Sequence, residues 1–314
     1  MADITHPPRI PPVAWLSLLL GLAALPLFFL GLPALVVGVR ALRAINSSDG
    51  ALRGARLVQV GLAAAVGGLA LPALGLVAML AVSAQTASRR VECANHLREI
   101  GLALNRYADA HGTFPPATSA PADLPPARRL SWLADVLPLL LEGTPRNAAY
   151  QGLAAGVDRR SGWDDLPNAV PQSARVGMFH CPAHPGPVTN ATHYVGLAGV
   201  NPDAIDLPRD DPRAGVFGNG RGVKRQEVTA GISFTLMALE TAHENGPWLA
   251  GGFPTTRGLD PAVERYSGWG RPFGGLHPGV VMALWVDASA RPVSDSTPAE
   301  LFRRQATIRR DAPP

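Results

Sequence analysis

One stretch, Leu57 to Pro116, constrains the fold more than any other. It opens as an apolar run, Leu57 to Val82, and turns polar at Ser83-Ala84-Gln85-Thr86-Ala87-Ser88-Arg89-Arg90. It then continues as an amphipathic segment from Val91 to His111. In this second part Val91, Ala94, Leu97, Ile100, Gly101, Leu104, Tyr107 and Ala108 recur at steps of three and four, the spacing that lines one face of a helix. Arg98, Glu99, Asn105, Arg106 and Asp109 fall mostly off that stripe. His111-Gly112 and then Thr113-Phe114-Pro115-Pro116 end the pattern, because glycine accepts a left-handed exit and proline cannot continue the ladder. The stretch predicts one long helix, half in lipid and half out, whose outer half is the spine for the rest of the chain.

At 314 residues the chain exceeds one typical domain, and its first quarter is too continuously apolar for a soluble core. A membrane part followed by one globular domain fits better. The 28 cationic side chains include a single lysine, Lys224, and the arginines are spread along the chain. A net charge of +4 distributed in this way argues against a nucleic-acid footprint, which needs clustered cations. Two cysteines, Cys93 and Cys181, form no CxxC pair. In the cytosol such a pair reads as two buried thiols and outside the cell as one bridge, so topology decides between them.

Residues 1–12, with Pro7, Pro8, Pro11 and Pro12, read as an extended lead without a signal-peptide pattern. Trp15 to Val39 carries no charge and is long enough to span a bilayer at about 20 residues per crossing. Pro26 and Pro33, with Gly21, Gly31 and Gly38, leave a broken or re-entrant path open. The connector 40–56 holds Arg40, Arg43, Arg53 and Arg56 against the lone acid Asp49, a charge bias that keeps a short loop in the cytoplasm. Arg9, Arg89 and Arg90 pull the other way but are fewer. The expectation is a membrane hairpin over 13–82, with spans 15–39 and 57–82, and an extracytoplasmic domain over 83–314.

Beyond the spine, 117–127 reads as a Pro- and Ala-rich loop. Arg129 to Leu141 reads as a short helix kinked or ended at Pro138. Residues 142–178 look irregular, with Tyr150, Trp163 and Leu166 as anchors. From Met178 the period changes. His193 to Leu197, Ile232 to Glu240 and Val280 to Val286 are short apolar or alternating runs bounded by turn residues, the pattern of strands. Asp287-Ala288-Ser289-Ala290 reads as a hairpin turn into Arg291-Pro292-Val293. Thr297-Pro298-Ala299-Glu300 has the order of a capping box and predicts a last helix to about Arg310. Helices followed by strands give an α+β domain with an antiparallel sheet against the spine.

These landmarks together resemble a known family. Arg89-Arg90-Val91-Glu92-Cys93-Ala94-Asn95-His96-Leu97-Arg98-Glu99-Ile100-Gly101-Leu102-Ala103-Leu104 is similar to the helix start of a large bacterial family of uncharacterised pilin-like proteins, related to type II secretion pseudopilins. Gly112 to Pro116, Leu130-Ser131-Trp132 through Leu140, Phe179-His180-Cys181-Pro182, Thr192 to Gly196, Val228 to Glu240, His277-Pro278-Gly279 and Val286 to Ser289 follow in the family's order. The likeness covers about residues 88–305. It implies a pilin-like domain on a helical spine, with a role in the cell envelope and no catalysis. The hairpin 13–82 resembles a small two-helix bacterial membrane domain of unknown function. Family members carry a glutamate early in the membrane helix, whereas Leu57 to Val82 holds no acid. The glycine of their Asp-Gly-Ser turn is Ala288 here.

Four candidate chemistries remain. A Cys93–Cys181 bridge would close a loop of about 89 residues and contribute on the order of 4 kcal/mol in the chain-entropy picture. His180-Cys181-Pro182-Ala183-His184, with His193, His243 and His277, holds zinc-type ligands, but in the spacing of no common finger or ribbon. Ser233 after Gly231 half-matches a nucleophile elbow, with His243 or His277 and Asp287 as arbitrary partners, and Glu240, Glu244 and Asp287 are acids nothing places together. Trp248, Tyr266, Trp269, Phe273 and Trp285 either line a binding surface or plug a small core. The expectation is therefore a non-catalytic, membrane-tethered module with no cofactor and no metal. Its partners would be the lipid bilayer of the inner membrane and other envelope proteins or glycans. The competing expectation is an extracytoplasmic metal-binding or hydrolytic enzyme using His180, Cys181 and His184.

Overall fold

The computed structural model describes residues 35–44, 46–47, 55–119 and 121–310. The expected lead, 1–12, lies outside them, as do residues 15–34 of the first span, 15–39, and residues 45 and 48–54 of the loop 40–56. Residues 35–44 are helical. The chain divides into two compact units, Met1–Gln85 and Thr86–Pro314.

Helix α1, Ala55–His111, is the stretch the sequence singles out, with Pro72 inside it. Among the described residues it is the one helix long and apolar enough to cross a membrane, and none of its most apolar window is buried. Its outer part carries a buried stripe, Cys93, Leu97, Ile100, Gly101, Leu104 and Ala108. The stripe starts at Cys93 rather than at Val91, which is exposed. Gly112 takes the left-handed conformation, φ 78°, and its amide donates to the Ala108 carbonyl at 2.8 Å, so the helix ends where glycine was expected to end it.

Between spine and sheet the helices are short. The helix expected over 129–141 shrinks to α2, Trp132–Val136, and Pro138 lies in a 3₁₀ turn, Leu137–Leu139. The region expected to be irregular contains α3, Asn147–Ala155, and α4, Ala169–Ser173. Tertiary bonds hold it in place. The Asn147 amide donates to the carbonyls of Pro138 and Leu140, and the Trp163 indole donates to the Ala127 carbonyl at 2.8 Å. Leu166 is 87% exposed and anchors nothing, which corrects its expected role.

Five strands follow: β1 Tyr194–Val200, β2 Leu236–Glu240, β3 Thr256–Leu259, β4 Val280–Trp285 and β5 Ala290–Ser294. Their order is β3-β1-β2-β4-β5. The β1/β2, β2/β4 and β4/β5 pairs are antiparallel, whereas β1/β3 is parallel. The sheet is therefore mixed, not antiparallel throughout. The exception is the four-residue β3, whose Thr-Arg-Gly-Leu shows no apolar alternation.

Side chains alternate between two cores, as period-2 geometry requires. Tyr194, Met282 and Leu284 join the core that holds the α1 stripe. Val195, Leu197, Val281, Ala283 and Trp285 join a second core with Tyr266, Phe273 and Phe302. Phe302 lies on the last helix, α5, Ala299–Gln305. Pro298, not Thr297, is its N-cap and no side chain caps it, so the expected box does not form and the helix ends five residues short of Arg310. At the β4–β5 turn Ala288 is left-handed, φ 63°, while Ser289 donates its amide to the Asp287 carboxylate at 2.9 Å. Gly101 of α1 meets this turn, and a Cβ there would sit 2.9 Å from the Ala288 Cα.

Candidate functional site

The pairing of β1 with β2 places Tyr194 opposite Glu240. Cross-strand partners share a face, and this face is the one under α1. Cys93, at the head of the buried stripe, lies over the pair. The Tyr194 hydroxyl donates to the Cys93 sulfur at 3.3 Å, and the Cys93 thiol donates to Glu240 Oε2 at 3.3 Å.

Two loops complete the arrangement. In the first, Gly177–Phe179 forms a 3₁₀ turn, and the His193 amide donates to the Phe179 carbonyl at 2.8 Å. The Cys181 amide donates to His193 Nδ1 at 3.1 Å, and Cys181 itself is turned inward and buried. In the second, His277-Pro278-Gly279-Val280 has proline second and a left-handed glycine third, φ 76°, with the Val280 amide returning to the His277 carbonyl. That is the residue order of a type II turn, in which proline presets one φ and glycine supplies the positive one. The turn delivers His277 Nε2 to 3.2 Å from the Cys181 sulfur and 3.4 Å from Glu240 Oε2.

One ligand-type atom from each of Cys93, Cys181, Glu240 and His277 thus lies within 4.8 Å of the others, and all four side chains are buried. The two cysteines meet, as the pairing read from the sequence requires, but as free thiols and not as a disulfide. Burial dominates the electrostatics. It pushes the Cys93 thiol far above its ordinary value and the Glu240 carboxyl up to about 7. It lowers the His277 imidazole to about 4, helped by the Arg90 guanidinium. With the imidazole neutral, the His277–Glu240 contact is a hydrogen bond rather than an ion pair. Glu240 Oε1 and His277 Nδ1 are buried without a hydrogen-bond partner among the described residues.

Residues 82–257 match a family described as proteins of unknown function, DUF1559. The chain belongs to this family. Within the DUF1559 match lie Cys93, Cys181 and Glu240, while His277 follows it. No curated protein and no solved structure matches the chain.

The other candidates do not converge in the same way. Of the His180, Cys181 and His184 set only Cys181 joins the cluster. His180 Nε2 contacts the Thr189 backbone at 2.9 Å, and His184 Nδ1 accepts from the Gly186 amide at 3.1 Å. Both rings pack on His193, with centroids 4.6 and 4.4 Å away. Burial and these two neighbours lower His193 to about 3, so it is a neutral acceptor. Ser233 lies against the Asp287 carboxylate at the hairpin turn. The histidines named with it are elsewhere: His277 is in the thiol cluster, and the His243 carbonyl accepts from Arg257 at 2.8 Å. Glu244 likewise offers its carbonyl to Arg257. Trp248, Tyr266, Phe273 and Trp285 are core residues, and of the five aromatics only Trp269 is exposed.

The sequence singles out every member of the cluster and pairs Cys93 with Cys181, but it sets His277 with His180 and His184 and leaves Glu240 apart. The available signal was positional. Cys93 falls on the helical stripe with Leu97, Glu240 ends an otherwise apolar strand, and His277 opens a Pro-Gly turn.

Proposed function

We propose that this chain is a membrane-anchored, non-catalytic module of the cell envelope, pilin-like in plan, that presents its second unit to a partner. The observation that carries the reading is the double character of α1. Its first part is apolar, with none of its most apolar window buried, and its last part is amphipathic and built into a core. Support for the lack of catalysis comes from the thiol cluster, whose four residues are each at most 3% exposed. Arg40, Arg43, Arg53 and Arg56 favour a cytoplasmic loop, hence two spans in the inner membrane and an external Thr86–Pro314 unit. A partner, whether another envelope protein or a glycan, has an open cleft of about 800 Å³ beside β3, lined by Phe253, Arg257, Tyr266 and Phe273.

The test is protease treatment of intact spheroplasts expressing the full chain. Loss of the second unit without lysis, with the chain remaining in a carbonate-resistant membrane fraction, is the expected result. Protection until lysis would reverse the topology, and release by carbonate would remove the anchor.

A further inference from the structure

We propose that Cys93, Cys181, Glu240 and His277 form a closed, structural site for a thiophilic divalent cation of the zinc type. The inference does not depend on topology or partner. It starts from donor chemistry: two sulfurs, an imidazole nitrogen and a carboxylate oxygen are all ligands that zinc accepts, and four of them suit a tetrahedral structural site.

Geometry then narrows the reading. Zinc bonds of about 2.0–2.3 Å in a tetrahedron require neighbouring ligand atoms to be about 3.3–3.8 Å apart. Three edges of the cluster already lie at or just below the short end of that range: Cys93 Sγ to Glu240 Oε2 is 3.3 Å, Cys181 Sγ to His277 Nε2 is 3.2 Å, and His277 Nε2 to Glu240 Oε2 is 3.4 Å. No pair of the four atoms exceeds 4.8 Å.

Unsatisfied polarity points the same way. Glu240 is fully buried, yet its Oε1 has no hydrogen-bond partner among the described residues. A carboxyl removed from water without a cation is costly, and a metal ion is one of the few groups that satisfies it. With both thiols and the carboxyl deprotonated, the ligands carry three negative charges against two on the ion. The guanidinium of Arg90, on α1 one turn before Cys93, is the cation acting on His277 and offsets the remainder. Of the other groups facing the site, the Tyr194 hydroxyl on β1 and the His180 carbonyl it also contacts are neutral, while the Asp295 carboxyl acts on Glu240 as a like charge.

The site would join four separate parts of the second unit: α1, the loop before β1, the end of β2 and the turn before β4. Its role would be to fasten the spine to the sheet, as a Cys93–Cys181 disulfide would. The two are exclusive, since a sulfur in a disulfide is not a thiolate ligand.

The experiment uses the full chain, purified in detergent without chelator. Metal content is measured by mass spectrometry and free thiols are counted after denaturation. Expected are one zinc per chain and two thiols, with at least a fivefold loss of zinc in His277→Ala and Cys93→Ser and none in His184→Ala. A chelated wild-type sample titrated with Co²⁺ serves as the control for variants that fail to fold. It should take up one equivalent and show thiolate-to-cobalt charge transfer with the intense bands of a tetrahedral site. A chain without thiols, which is the disulfide, would overturn the proposal. So would wild type that takes up no cobalt, or zinc that is lost with His184→Ala.

Discussion

Both parts of α1 carry apolar residues, but for different reasons. Nearer the start, Leu71, Leu74, Val77 and Met79 are all exposed, and a Cβ at Gly67, Gly68 or Gly75 would meet nothing within 4 Å among the described residues. Near the end, Leu97, Ile100 and Leu104 are fully buried, while Gly101 touches the β4–β5 turn. A helix that is apolar all round needs an apolar solvent, whereas one with a stripe needs only a protein face. One element therefore carries two folding instructions, and the charged pair Arg89-Arg90 lies between them.

The strongest way to break this comparison is to truncate one leucine at each end. Leu97→Ala removes a fully buried side chain from the core shared with Tyr194 and Leu284, and should cost about 2–5 kcal/mol. Leu74→Ala removes a side chain 65% exposed in the structure and should leave the unfolding of the second unit unchanged. Thermal melts followed by tryptophan fluorescence read that unit, since Trp132, Trp163, Trp248, Trp269 and Trp285 all lie in it. Equal losses at both positions would mean that the first part of the helix is covered by protein after all.

The glycines give a sharper version. Gly101→Ala sets a Cβ 2.9 Å from the Ala288 backbone and 2.7 Å from a Leu284 methyl. Backbone cannot move aside as a side-chain tip can, so the cost should be about 1–3 kcal/mol. Gly67→Ala meets nothing among the described residues and should be neutral to slightly stabilising in a helix. Urea midpoints of the two variants against wild type separate the cases.

Much of this architecture can be read along the chain, because local rules set it. The helix, its stop at Gly112, the runs that became β1, β2, β4 and β5, and the Asp287–Ala290 turn follow from period and turn chemistry. What is illegible depends on tertiary contact. β3 has no pattern of its own and exists because β1 offers it a parallel edge. α3 lies in an Ala- and Gly-rich stretch tied in place by Asn147 bonding to Pro138 and Leu140. The thiol cluster joins residues up to 184 positions apart, from Cys93 to His277, through strand register and one turn. The neighbouring histidines, by contrast, look like a site in the sequence and instead bond to nearby backbone.

Ala288 tests the same junction from the turn side. A left-handed alanine is strained where glycine is not. Ala288→Gly keeps the approach to Gly101 and relieves φ 63°, so it should stabilise the second unit by about 0.5–1 kcal/mol. A lower melting temperature would mean that the Ala288 methyl packing on the helix outweighs the strain.

The smallest expected effect concerns the far end of the buried half, where Asp135 of α2 acts on Tyr107 of α1. Asp135 is 6% exposed, and burial raises its pKa above the ordinary 3.8 although Arg159 opposes the shift. An acid whose folded pKa is raised binds its proton more tightly in the folded chain than in the unfolded one. Stability from this group is therefore greatest at low pH and declines as pH rises from 3.8 through the folded value. Asp135→Asn removes that titration while keeping the side-chain volume. Melting temperatures measured at successive pH values above 4 should fall less steeply in the variant than in wild type. A steeper fall in the variant would mean that the Arg159 ion pair, not burial, governs this carboxylate, and that the last turns of α1 are held by charge rather than by packing.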